Sequence, residues 1–217
     1  MLFRSMADTS GAYAQFIATP FATRDGNFLI RTPDTRFPQG ATRAAQQADT
    51  PTPLPAPRYI KNRPSGDDVP QAGYGSSNYD YRRWAPVSQN SGNGTWVQLP
   101  KTELDMLVAE GKIRAGDFAG AATLIDAARA KHGLPSIGTI TTASQKIAGG
   151  NACVPKVPQA PGFNTVDCGT ILEAMKWEKR LETAYSCAYI CWYVDSRGWG
   201  DLPEGTALQW PVPYQEM

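Results

Sequence analysis

Two carboxylates four residues apart, Glu178 and Glu182 in "MKWEKRLETA", are the first place where this 217-residue chain could do acid–base chemistry. On a helix that spacing puts both on one face, and glycoside hydrolysis uses two carboxyl groups roughly 5–9 Å apart. Lys176, Lys179 and Arg180 lie beside them with no histidine near in sequence, so ion pairing with a neighbouring helix is expected instead of catalysis. Asp195 and Asp201 flank "SRGWG", which lacks the alternating oxygen ligands of a calcium loop. Asp195 is expected to cap the chain's exit and pair with Arg197. The single histidine, His132, has no G-x-S-x-G partner, so no serine triad is in view. "GSSNYDYRR" lacks the G-K-[ST] ending of a phosphate loop. The sequence reads as a non-enzyme with no metal or cofactor.

Aromatic residues offer a different chemistry. Tyr74, Tyr79, Tyr81 and Trp84 sit among Asn78, Asp80, Arg82 and Arg83 in a stretch dense in turn formers. Sugars present apolar C–H faces with polar rims, so aromatic platforms beside polar side chains on a supported loop are what a saccharide site needs. Tyr74, Asn78, Tyr79, Tyr81, Arg82 and Trp84 are the candidate ligand-binding residues. The competing expectation is that these rings anchor a long loop to the helices.

Cysteine spacing bears on compartment. Cys153 and Cys168 bracket the proline-rich "VPKVPQAPGFNTVD", and a bridge closing that loop would contribute about 3 kcal/mol in the chain-entropy model. It would favour an oxidising compartment. Cys187 and Cys191 fall four apart in a helical pattern, where their Cβ vectors diverge, so buried thiols are expected there.

The elements that must position these groups come late in the chain. Residues 1–100 are turn-rich, with a short helix at "AYAQFIATPF", a strand or buried extended segment at "NFLIRT", and a polyproline-type connector at "TPTPLPAP". From Lys101 the pattern turns helical. Thr102 is placed to cap a first helix whose apolar stripe is Leu104, Leu107 and Val108, with Met106 alongside. Gly116 ends it, and Asp117 caps a second helix carrying Phe118, Ala121, Ala122, Leu124, Ile125 and Ala128. Thr170 and Glu173 form a capping box for a third helix expected to run to about Val194.

Composition narrows the partners. Net charge is +1, which gives no electrostatic reason to expect nucleic acid or an anionic membrane. No apolar run approaches the roughly 18 residues of a transmembrane helix. Gly and Pro number 20 and 18, so loops take up much of the chain. The opening "LFRS" is what CTC TTC CGA TCT encodes, a string common at the ends of sequencing-library adapters. Residues 1–5 are therefore read as an artefact, with the true beginning upstream.

Two resemblances follow from these residues. Gly116-Asp117-Phe118, Ala121, Ile125, Ala128 and Pro135 resemble a tetratricopeptide-type repeat, a unit that needs about three copies to bury a continuous core. The stretch "ILEAMKWEKRLETAYSCAYICWYVDSRGWGDLPEGTALQWPVPYQEM" resembles the end of SusD/RagB-family proteins. It carries Glu178, Arg180 and Glu182, then Trp192, Asp195 and Arg197, then Pro211, Pro213, Gln215 and Glu216. Those proteins are surface lipoproteins that capture nutrients, typically glycans, for a TonB-dependent outer-membrane transporter. The likeness covers roughly residues 96–217, and it implies the C-terminal portion of a larger protein whose lipid anchor and most helical repeats are missing here. The expected fold is mostly α and SusD-like. It has a tetratricopeptide-type helix pair and C-terminal helix over residues 101–217, and a loop-rich ligand side over 1–100, in one contiguous fold. The expected function is capture of an oligosaccharide or peptide at the outer-membrane surface, for delivery to a SusC-like transporter. A tetratricopeptide-type adaptor binding protein segments is the alternative.

Overall fold

The computed structural model describes residues 29–49, 58–63, 79–84, 87, 90–159, 165–186 and 191–202. The helix expected at 12–21, the proline connector at 51–57, and Tyr74 and Asn78 lie outside the described residues. The fold is mostly helical with small antiparallel sheets.

Helix α1 (Arg43–Ala48) starts at Thr42, whose side chain accepts from the Ala45 N–H. Strand β1 (Ile60–Asn62) pairs antiparallel with β2 (Tyr79–Tyr81), Lys61 opposite Asp80. The Leu29–Thr32 part of "NFLIRT" forms no strand. Within it, Ile30 donates its N–H to the Tyr79 hydroxyl (2.7 Å) and accepts from the Gln46 amide (2.8 Å).

Helices α2 (Lys101–Arg114) and α3 (Phe118–Ala130) form the scaffold's hairpin. Gly116 takes φ +81°, a left-handed turn that glycine adopts without strain. Asp117 then caps α3 by accepting from the Gly120 N–H at 2.9 Å. The expected cap of α2 is displaced: Pro100 sits at the N-cap and Thr102 is buried inside the first turn. The apolar face is displaced as well. Met106, Ala109 and Ile113 enter the core, whereas Leu104, Leu107 and Val108 stay about half exposed (50%, 46% and 53%). The small residues Ala109, Ala121 and Ala128 are buried in the core that α2 and α3 share. The larger residues are left on the outer face.

A hairpin of β3 (Lys156–Gln159) and β4 (Thr165–Cys168) leads into α4 (Ile171–Thr183). The expected bridge is present: Cys153 and Cys168 are disulfide-bonded, and both are buried in the core. Thr170 caps α4 by accepting from the Glu173 N–H. Ile171, Ala174 and Met175 close the third side of the core, together with Ile137, Ile140 and Ile147 from the α3–β3 connection. Full burial of residues such as Met106, Ile125 and Ile171 contributes roughly 1.5–3 kcal/mol each.

The third helix does not run to Val194. It stops at Thr183, Tyr185 adopts φ +60°, and a separate helix, α5, spans Cys191–Trp199. The buried-thiol expectation fails at Cys191. Cys191 is disulfide-bonded and not a free thiol, while Cys187 lies outside the described residues. Trp199 lies in the last turn of α5.

Candidate binding site

Helix α4 carries Glu178 and Glu182 on one face, as their spacing predicts, and both are buried. Arg36 forks onto Glu178, donating from Nη1 at 2.7 Å and from Nη2 at 3.1 Å. The same guanidinium donates to Asp34, with Nη2 at 2.7 Å and Nε at 3.0 Å. Trp177 adds its indole N–H to Asp34 at 2.7 Å. Arg129, from α3, approaches Glu178 at 3.4 Å and donates to the carbonyls of Val154 and Pro135. Burial works to lower the pKa of Arg36, but Glu178 and Asp34 hold it above its ordinary value. Burial works to raise Asp34, and the Arg36 hydrogen bond and charge bring it below the usual carboxylate range. Buried charges of this kind are tolerated only when each is paired.

Glu182 is the second knot. Its Oε1 accepts from the Tyr59 hydroxyl at 2.9 Å and lies 2.9 Å from His132 Nε2, and its Oε2 is 3.0 Å from Arg83. Burial would raise its pKa, but the His132 hydrogen bond and the charges of Arg83, His132 and Arg36 pull it down to about 2. The sequence places His132 far from both carboxylates. The fold brings it into contact, because α3 ends beside the last turn of α4. The ion pairing expected of the two glutamates is thus present, and it ties the 34–36 turn, α3 and the 79–84 segment to one helix.

The last turn of α4 completes the arrangement. A helix end leaves carbonyls without intrahelical donors, and here side chains from three segments supply them. Trp192 donates its indole N–H to Arg180 O (3.0 Å), and Tyr81 its hydroxyl to Leu181 O (3.3 Å). Arg83 donates to Glu182 O, Ser186 to Thr183 O (2.7 Å), and the Trp84 indole to Ala184 O (3.1 Å). The rings gather around this turn. Trp84 stacks on Trp96 with centroids 5.2 Å apart, Tyr81 meets Tyr185 at 5.0 Å, and the Arg83 guanidinium lies 5.0 Å over Trp84. Tyr185 and Trp192 remain half exposed, at 50% and 46%.

Cations hold α5 on the other flank. Lys179 meets Asp195 at 2.6 Å and Glu103 at 3.1 Å, while Lys176 and Arg180 both reach Asp201. Asp195 therefore pairs with Lys179, not with Arg197 as expected, because it lies within a helix packed on α4. The Trp199 ring lies 5.1–5.5 Å from the charged ends of Lys176, Lys179 and Arg180, and its N–H donates to Glu110 at 3.0 Å.

The expected ligand residues are thus partly gathered. Tyr81 and Trp84 stand at the end of α4, with their polar edges turned into it. Tyr79 points elsewhere, its hydroxyl accepting from Ile30 and donating to Gln46 at 2.8 Å. Arg82 lies 4.0 Å from Asp80. Trp96 stacks on Trp84 and Tyr185 lies against Tyr81, yet neither was among the expected ligand residues. The paired indoles of Trp84 and Trp96, around turn-forming "QNSGNG", were the available signal. Among the described residues no three His, Cys, Asp or Glu side chains gather as a metal site, and no helix is long and apolar enough to cross a membrane. No protein-family profile, curated protein or solved structure matches this chain.

Proposed function

We propose that this chain captures a saccharide without chemical turnover, as part of a SusD-like surface lipoprotein serving a TonB-dependent outer-membrane transporter. One observation carries the reading: an open group of aromatic rings surrounds the end of α4, with the Tyr81, Trp84 and Trp192 donors already spent on helix carbonyls. What such rings offer a ligand is carbon surface, the complement of a sugar's C–H face. The buried ion pairs of Glu178 and Glu182 supply the rigid support that a preorganised surface needs. The likeness of residues 96–217 to the SusD/RagB pattern supports the same reading, and with it the lipid anchor, the outer-membrane site and the SusC-like partner.

A second reading is favoured by the outer face of α2. Leu104, Leu107 and Val108 present an apolar strip there, which suits a tetratricopeptide-type adaptor that binds protein segments. Native gels cast with neutral polysaccharides separate the two. A capture protein is retarded by at least one polysaccharide, and its reducing-end assay stays flat. A chain that migrates unchanged in every such gel, yet binds peptide, refutes the saccharide reading, and release of reducing ends would make it an enzyme.

A further inference from the structure

We propose that Tyr185 is a stacking platform for one pyranose ring of a neutral polysaccharide. The proposal rests on the saccharide reading above and names a residue that reading does not require. Had α4 continued, Tyr185 would follow Leu181 one turn later onto the buried face. Instead it adopts φ +60°, in the left-handed region that bulky L-residues rarely occupy. Its neighbours Ala184 and Ser186 are 2% and 1% exposed, while Tyr185 itself is 50% exposed. The turn thus holds its flanks inside and turns one large ring outward.

Closing a helix with a left-handed residue is ordinarily the work of glycine or asparagine. A tyrosine there carries a conformational cost that a glycine would not, and strain of this kind collects at functional positions. The ring is also supported. It lies 5.0 Å from Tyr81 with the planes tilted by 42°, and Tyr81 is itself fixed by its hydroxyl to Leu181 O. Trp192 is anchored on the preceding carbonyl, that of Arg180, and is also half exposed. Two outward rings therefore stand on one helix end. The charge around them selects the ligand class: Arg83 is paired with Glu182 and Arg180 with Asp201. With Arg83, Arg180 and also Lys179 already engaged, an acidic sugar gains nothing over a neutral one.

The backbone makes the test clean, because glycine removes the ring and relieves the left-handed strain together. Full-length Tyr185→Gly and Tyr185→Phe are compared with the parent in native gels containing starch, xyloglucan, galactomannan or laminarin, with isothermal titration on whichever retards. Tyr185→Gly should melt at or above the parent temperature and bind about tenfold or more weakly, and Tyr185→Phe should bind within about twofold of the parent. Binding unchanged in Tyr185→Gly overturns the proposal. So does a Tyr185→Gly variant that melts well below the parent, which would assign the ring to packing. A parent retarded by none of these polysaccharides removes the saccharide reading itself, a result distinct from a parent that binds and a Tyr185→Gly that binds equally.

Discussion

Replacing Glu182 by glutamine keeps the side chain's shape and removes the charge on which Arg36, Arg83 and His132 converge. The magnitude follows from the site. A carboxyl drawn from its ordinary 4.5 down to about 2 gains, at about 1.4 kcal/mol per unit, roughly 3 kcal/mol from folding. Only 3% of the side chain is exposed, so solvent screening takes little from that figure. Loss of one partner from a buried charge group costs a similar 3–5 kcal/mol or so. The folded pKa is depressed, so the contribution is complete above the unfolded value near 4.5 and is lost as pH falls through about 2. Urea denaturation followed by tryptophan fluorescence, disulfides intact, measures both effects. At pH 7 Glu182→Gln should be less stable by about 3 kcal/mol. The gap should close as the pH falls from about 5 toward 2, because only the parent has this carboxylate to protonate. A variant within about 1 kcal/mol of the parent at pH 7, or one whose acid profile runs parallel to it, would refute the reasoning.

Two further outcomes test the packing. Met106→Ala should cost about 2–5 kcal/mol, whereas Leu107→Gln, one residue on and half exposed, should change stability by no more than about 0.5 kcal/mol; thermal denaturation of the pair reports whether the core face is assigned correctly. Non-reducing peptide mapping should recover Cys153 linked to Cys168, and the double serine variant should lose about 3 kcal/mol in denaturant titration; free thiols at both positions would contradict the bridge.

Where the chain announces its turns, the sequence was legible. Gly116-Asp117 marks the hairpin and Thr170 starts α4, because a left-handed glycine and a capping hydroxyl act locally. The Cys153–Cys168 loop is equally local. What escaped is whatever depends on distant residues. Leu104, Leu107 and Val108 are more apolar than Ala109, yet it is Ala109 that enters the core, because the face a helix buries is decided by the elements packed against it. Ion pairing of Glu178 and Glu182 was legible, but its partners were not: Arg36 and His132, like the Asp195 and Asp201 that meet Lys179 and Lys176, arrive from distant parts of the chain. The break at Tyr185 is similarly hidden, since its neighbours are ordinary helix formers and no glycine or proline marks the spot. For the candidate site, Tyr81 and Trp84 were visible as aromatics on a loop, but their common seat on α4 was not.

That common seat makes the end of α4 a junction. Five consecutive carbonyls, from Arg180 to Ala184, are claimed by residues 192, 81, 83, 186 and 84 in turn. Unwinding the turn by one residue would withdraw support from every claimant at once. Substitutions in the 81–84 segment and on α5 are therefore coupled although no covalent neighbour links them, and their energies will not sum. Sequence change in this protein meets a collective constraint at that turn: the side chains of residues 81, 83, 84, 186 and 192 keep their seats on it together or lose them together.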